Sequence, residues 1–439
     1  MKSNNFFVLL AIAVFPPVCF AQSSPQLKII EEFALHNMPR FYDSTLKYIN
    51  LKPGGDLNYL YPLYQLFKEE NKFKQIESDN GYNNEMSKAA SFLGDYQTVL
   101  EYHAKNYEAI DAASEKQLHK IVDDLKDINH ASAEKYISFA AKDRQVVMIN
   151  ESYDKPLHRA FTLSLLGDLY KKGFRYLAME TLNNFSTRSV DRLTSATGYF
   201  TSEPIGGELV RTALELGFTL IPYDDTSSTH SANQRDAVQA ANIFKILEHN
   251  PSAKILVEAS YGHNAKKSPD NNYVPMAMAF KKLSGIDPLC IDQVSMCDES
   301  EFAYGKALYD AYTDKFSIYA PCVALLDGQQ INITNNDAYD VCVIHPHTTY
   351  KDNRPLWLSL GGLRKLTYVK ATVAKTFLVQ AYYDYETNLN GPGKVVPADQ
   401  TYINTNNDNY ALYLRKGKYL VTFRDVAYRL IGKLNIEVN

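Results

Sequence analysis

The sequence predicts an α/β protein: a central, mostly parallel sheet flanked by helices, preceded by a helical region and followed by a small β-sandwich. Three features carry this reading. Between Gln22 and Lys142, apolar and tyrosine residues recur at helical spacing, as in MSKAASFLGDYQTVLEYHAKNYEAI. From Asp143 to Lys351, short β-rich runs alternate with helical runs, the signature of βαβ units. Beyond Asn353, alternating strand-like runs are separated by Gly, Asn, Asp and Pro clusters, as in a sandwich. The expected division is therefore residues 1–21, 22–142, 143–351 and 352–439.

The first part reads as a secretory leader. One Lys precedes an apolar run from Phe6 to Phe15, and Cys-Phe-Ala suits cleavage after Ala21. The mature chain is thus expected in the periplasm or outside the cell. No later apolar run is long enough to cross a bilayer, so no integral membrane segment is expected. A net charge of −4 gives no electrostatic footprint for nucleic acid. Cys290, Cys297, Cys322 and Cys342 fit no zinc spacing. An oxidising compartment would allow a Cys290–Cys297 disulfide, whereas Cys322 and Cys342 lie in apolar runs and read equally well as small buried residues. The helical region reads as a cap or support, since the segment around Leu93, Gly94, Tyr96 and Tyr102 has no second copy at a fixed period.

In the central part each of four predicted strands ends in acidic, His or Tyr residues. Val146 to Asn150 ends at Glu151, Ser152 and Tyr153, and Phe174 to Met179 ends at Glu180. Phe218 to Pro222 ends at Tyr223, Asp224 and Asp225, and Lys254 to Ala259 runs into Tyr261, Gly262 and His263. In an open parallel sheet these ends share one edge, and ligands bind in the crevice outside it. The helix after the first strand has Asp154 as its candidate cap, Pro156 in its first turn and Gly173 as its stop, with Leu163, Leu166 and Tyr170 on one face. Ser231 and Gln234 form a capping box that puts Arg235 and Asp236 at a helix mouth on the same edge. In the last part WLSL, KLTYVKATV, FLVQAYYDYE, YALYL, KYLVTFRDV and KLNIEV read as strands, and NLNGPGK as a loop.

Two carboxylates and an imidazole at adjoining strand ends suit acid–base chemistry on a small-molecule ligand or substrate. His263 would act as base, Glu151 and Glu180 would position water, and Arg235 would meet developing negative charge. Crowding the two glutamates would raise the pKa of one. His158, one turn into its helix, either reaches the pocket or packs. His345 and His347 have metal-like spacing without an evident carboxylate companion and read as loop residues.

At these residues the chain resembles the erythromycin esterase-like and haem-uptake ChaN-like proteins. NESYDKPLHR, a helix and FRYLAMETL look like their "GExH…HR…E" pattern, and NQRDAVQAANIFKILEHNPSAKILVEASYGHNAK is similar to their Arg-Asp helix and following strand. The resemblance spans roughly Gln145 to Gln293. It matches Glu151, His158, Arg159, Glu180, Arg235, Asp236 and His263 to motif positions, while Asn150 stands for the motif glycine, Tyr153 for the first ChaN-like histidine, and Lys266 for a second esterase-branch histidine. The esterase branch implies metal-independent hydrolysis of a cyclic ester. The ChaN-like branch implies haem or iron-complex binding, here through Tyr153 and His263. An inactive relative acting through surface contacts is the third reading. On the first two, Glu151, Glu180, Arg235 and His263 line one cavity, with Tyr153, His158, Arg159, Asp224 and Asp236 contacting the ligand.

Overall fold

A computed structural model of the chain describes residues 24–41, 50–185, 190–269, 272–300, 303–334, 336–391, 393–405 and 409–439. The leader assigned to residues 1–21 lies outside them. The helical region supplies α1 (Pro25–Asn37), α2 (Tyr61–Lys68), α3 (Glu70–Phe92), α4 (Tyr96–Ala104) and α5 (Ala112–Asp124). Side-chain oxygens meet the free N–H groups at three of their starts: Ser24 at α1, Asp95 at α4 and Asp111 at α5.

The central sheet has nine strands: β1 (Asn129–Ser132), β2 (Val146–Glu151), β3 (Phe174–Met179), β4 (Thr219–Pro222), β5 (Lys254–Ser260), β6 (Leu289–Met296), β7 (Cys322–Leu326), β8 (Gln329–Ile331) and β9 (Val341–Ile344). Their spatial order is β1-β7-β9-β6-β2-β5-β3-β4, with β8 added to β7. The pairings β2–β5, β2–β6, β3–β4, β3–β5 and β6–β9 are parallel. Those of β7 with β1, β8 and β9 are antiparallel. The mostly parallel sheet is therefore as expected, but its first strand comes from the segment read as a helical region. NHAS is short and polar, so its pairing with β7 at the sheet edge leaves no apolar pattern to read.

Around the strands lie α6 (Ala133–Ala140), α7 (Pro156–Lys171), α8 (Pro204–Leu216), α9 (Ala232–His249), α10 (Met276–Ser284) and α11 (Ala303–Phe316). Strand side chains alternate between the two faces. Val147, Ile149, Leu177, Met179 and Leu256 join one core with α7 and α8, while Val146, Met148, Ala178, Ile255 and Val257 join another with α9 and α10. Both faces being covered, the strands read as continuous apolar runs. Helix α7 begins at Pro156, and Gly173 follows its end at φ +93°. Asp154 is not its cap. Its carboxylate instead accepts from Ser152 Oγ (2.6 Å) and Ser87 Oγ (2.7 Å) and contacts His103 Nδ1 (2.9 Å), bracing α3 and α4 against the sheet edge.

The last part contains a short ribbon, β10 (Tyr350–Lys351) with β11 (Arg354–Pro355), and then β12 (Lys365–Lys370), β13 (Leu378–Tyr383), β14 (Asp399–Thr401), β15 (Asn404–Thr405), β16 (Asn409–Leu414), β17 (Gly417–Arg424) and β18 (Leu430–Val438). The antiparallel sheets β12-β16-β15 and β14-β13-β17-β18 close on a shared core of Val369, Val379, Leu412, Val421 and Phe423, a small sandwich. Two runs read as strands differ. WLSL lies in a 3-10 turn, Leu356–Gly362, bounded by Pro355 and two glycines. The DYE of FLVQAYYDYE opens α12 (Asp384–Asn390), whose first turn carries Asp384 and Glu386.

The largest apolar cluster takes in helices α1–α4, one sheet face, and Phe377, Tyr402 and Tyr428 from the last part, so the three parts share a core. Cys290, Cys297, Cys322 and Cys342 are buried, and the Cys290–Cys297 disulfide is not formed. Among the described residues no helix is long and apolar enough to cross a membrane. A buried pair joins the first and last parts: Arg354 Nη2 donates to both Asp399 oxygens (2.7 and 2.9 Å) and its Nη1 to Gly94 O (3.3 Å). Gly94 has φ +70°, and a Cβ there would collide with the Arg354 guanidinium and lie 2.9 Å from Gln400 O. Asp399→Ala should therefore leave a buried guanidinium unpaired and cost about 3–5 kcal/mol, measured as a loss of unfolding free energy in urea.

Candidate active site at the carboxyl edge of the sheet

The register brings the predicted strand ends together. Glu151, last in β2, pairs with Ser260, last in β5, while Met179, last in β3, pairs with Glu258 and Pro222. Glu180, the next residue, is held from several sides. Its Oε2 accepts from Ser260 N (2.7 Å), and its Oε1 from Tyr153 Oη (2.8 Å) and Arg235 Nη2 (2.6 Å). Arg235 also grips Asp224, through Nε and Nη2 at 2.9 Å each. The capping box of α9 forms as expected and fixes this arginine at the helix mouth. Asp224 is steadied further by Gln239 Nε2 at 2.7 Å.

His263 completes the outer layer. After β5 the chain turns through Tyr261, whose φ of +41° is uncommon for a residue with a side chain. Asn264 then pins the loop into the sheet through the carbonyls of Ile291 (2.9 Å) and Met148 (3.3 Å). His263 Nδ1 lies 2.6 Å from Asp236 Oδ1, while Tyr273 Oη donates to Asp236 Oδ2 at 2.5 Å. The other ring nitrogen, Nε2, faces Glu180 Oε1 at 4.0 Å. Burial alone would depress the imidazole pKa. The Asp236 hydrogen bond and the Glu180 charge outweigh it and hold His263 above the usual histidine value.

Beneath this layer the charges are sealed in. Glu151 is 1 % exposed and forms an ion pair with Arg159 of α7, Oε2 to Nε 2.8 Å. Arg159 also reaches Glu203 (3.4 Å) and the Tyr153 carbonyl (2.8 Å). Burial raises the Glu151 pKa to about 7 against the pull of Arg159, with Glu180 and Glu203 adding to the rise. The expected crowding of Glu151 and Glu180 is thus one contribution, and desolvation the larger one. Sequence reasoning missed Glu258. It lies on the same sheet face as Ile149 and Met179, is 1 % exposed, and neither carboxylate oxygen has a hydrogen-bond partner. Burial, then Glu151, push its pKa well above the carboxylate range. Its signal was available: one acidic residue inside the apolar run KILVEAS.

The remaining expectations divide. Tyr153 does not line the cavity at Asp224; its ring stacks on Phe200 at 4.3 Å and its hydroxyl donates to Glu180. Arg159 turns inward to the glutamates. His158 does not reach the cleft: it is wholly buried, its Nδ1 accepts from Ser152 N (3.0 Å), and its ring lies 5.8 Å from that of His345. His345 is equally buried, whereas His347 does have a carboxylate companion, Asp298 at 2.9 Å. Lys266 points to Asp287 and Asp340. The four principal residues do not all line one open cavity. Glu180, Arg235 and His263 meet around their own ion pairs, and a cavity of about 410 Å³ adjoins them at Asp224, walled by Lys52, Leu182, Asn184, Phe185 and Tyr199. Glu151 lies behind. Among the described residues no three His, Cys, Asp or Glu side chains converge as a metal site.

No protein-family model matches the chain, and no curated protein does. Solved structures are distantly similar. The type III effector HopBA1 is 12 % identical, with 50 % of this chain and 98 % of that one covered, at a TM-score of 0.30. RRSP, a MARTX toxin effector domain from Vibrio vulnificus CMCP6, is 12 % identical over 51 % of this chain and 52 % of that one, at 0.27. A structure described as bacterial protein toxins is 14 % identical over 60 % and 53 %, at 0.29. Likenesses this remote bear on neither fold nor chemistry, and the resemblance to erythromycin esterase-like and ChaN-like proteins rests on the motifs.

Asp236 is the group that raises the His263 pKa most. In an NMR titration of the histidine ring protons, His263 should therefore show a midpoint above about 6.5, and Asp236→Asn should lower it. Because the folded pKa is the higher one, the stability that protonated His263 adds is complete below the unfolded value and disappears as pH rises through the folded one.

Proposed function

We propose that the protein hydrolyses a small ester or lactone in the cleft formed by Glu180, Arg235 and His263. The observation that carries this reading is the setting of His263. Its Nδ1 is 2.6 Å from Asp236 and its Nε2 faces Glu180 across 4.0 Å. With Nδ1–H donated to Asp236, the lone pair of neutral His263 sits on Nε2, turned toward the cleft. There it takes a proton from a water that attacks the ester carbonyl, and then returns that proton to the departing alkoxide. Glu180, held by Arg235, Tyr153 and Ser260, faces the imidazolium as it forms. Arg235 spends Nε and Nη2 on carboxylates, and its Nη1 is the donor available to the developing oxyanion.

The buried layer sets the field rather than moving protons. Arg159 is paired with Glu151, and Glu180 is the carboxylate that faces the Nε2 side of the imidazole, opposite Asp236 on Nδ1. The cavity of about 410 Å³ beside Asp224 is of the size that takes a small-molecule substrate. Export to the periplasm or beyond rests on the leader-like residues 1–21. The haem reading has less behind it. The Tyr153 hydroxyl donates to Glu180, and burial and then Glu180 push its pKa well above the ordinary phenol value, which disfavours the phenolate that iron needs.

A panel of small esters and lactones tests the proposal. Turnover should fall about 10²–10⁴-fold in His263→Ala and much less in Tyr153→Phe. The activity should rise with pH as His263 loses its proton, with the midpoint displaced to lower pH in Asp236→Asn. Turnover that survives His263→Ala would refute the assignment of the base, and a panel with no substrate would leave the inactive-relative reading in its place.

A further inference from the structure

A second cavity, of about 430 Å³, lies away from this cleft. It is bounded by α7, by the segment after β9, and by the Leu356–Gly362 turn, and shares no lining residue with the cavity at Asp224. Its walls are largely apolar: Leu157, Phe161, Leu163, Leu356, Trp357 and Leu360. His345 also lines it. That imidazole is 0 % exposed, packs edge-on to Phe161 at 5.3 Å, and has no hydrogen-bond partner on either ring nitrogen. The neighbouring ring of His158 likewise leaves its Nε2 unpartnered, as does the buried indole N–H of Trp357.

Buried polar atoms in folded proteins are nearly always paired, and an unpaired group has lost its water without compensation. One such group is an isolated cost. An imidazole with both nitrogens unmet, on the wall of an apolar cavity large enough for a small organic molecule, is what a ligand site offers. Burial, reinforced by Lys155, takes the His345 pKa down to about 4 despite the opposing charge of Asp298, so the ring is neutral, with one N–H and one lone pair. No Lys or Arg lines the cavity, Glu134 does, and the other histidine on its wall, His347, is already engaged by Asp298 at 2.9 Å, so an anionic ligand finds no unengaged countercharge.

We propose that this cavity binds a small uncharged molecule with an apolar body and one group that both donates and accepts hydrogen bonds, a hydroxyl or a primary amide, which pairs with His345. The site is independent of the hydrolytic reading and uses none of its residues. Trp357 provides the readout, because it is the single tryptophan of the chain and lines the cavity.

The experiment titrates the full chain with phenol and with toluene, its near-isostere without the hydroxyl, following Trp357 fluorescence. Phenol should give a saturable change at a concentration at least tenfold below that for toluene. His345→Phe should erase the preference. Ala160→Leu, which fills the α7 wall and leaves His345 in place, should weaken both probes, with melting curves establishing that each variant is folded. Equal affinity for the two probes, no saturable change, or a phenol preference that survives His345→Phe would overturn the proposal. So would phenol binding undiminished in folded Ala160→Leu, which serves as the test should His345→Phe not fold.

Discussion

The structure of the site follows from one constraint: three glutamates, Glu151, Glu180 and Glu258, are crowded near the ends of adjoining parallel strands, and two guanidiniums pair with two of them, Arg159 with Glu151 and Arg235 with Glu180. Taking a carboxylate out of water is costly unless a cation or hydrogen bonds replace the hydration. Arg159 comes from α7 on one sheet face, and Arg235 from α9 on the other. The packing of both helices is thereby coupled to the charge balance of the edge. Glu258 has no ion-pair partner, and burial together with the Glu151 charge pushes its pKa up, which favours its uncharged form.

The supporting layers serve the same end. Asp154, directly behind the site, is bonded by Ser87 and His103 of the helical region. Asp95 at the head of α4 accepts from Tyr402 of the last part at 2.6 Å. Glu203 caps α8 through Ile205 N and Gly206 N, at 2.8 Å each, while its carboxylate also meets Arg159. A network of buried polar groups of this kind is stiff, since displacing any member strands another. It keeps the Glu151–Arg159 pair fixed while the outer groups face solvent.

Much of this was legible in the sequence. Strand ends bearing Glu151, Glu180, Asp224 and His263 could be found because a parallel sheet places all its carboxyl ends on one edge, and the capping box fixed the position of Arg235 without any knowledge of tertiary contacts. What could not be read depends on direction. His158 and Arg159 are neighbours on α7, yet one turns to His345 and the other to Glu151, a difference of about 100° around the helix that a motif does not encode. Asp154 looked like a helix cap because its long-range partners Ser87 and His103 have no local signature. Tyr273 reaches Asp236 from a loop with no pattern of its own. Glu258 was readable in principle, but attention to strand ends passed over a charge inside the strand.

The two layers of the site then divide the labour by dielectric. Glu151 and Arg159 are each 1 % exposed as side chains, so their interaction is little screened and they exchange protons with solvent poorly. The side chains of His263 and Arg235 are 16 % and 35 % exposed, enough for water and a ligand to reach them. In the proposed hydrolysis the attacking water has to reach the base, which the sealed inner glutamate does not allow and the partly exposed outer histidine does. On the proposed reading Glu151 is then a fixed element of the field despite its place in the motif, and proton transfer would fall to the Asp236–His263 pair at the rim.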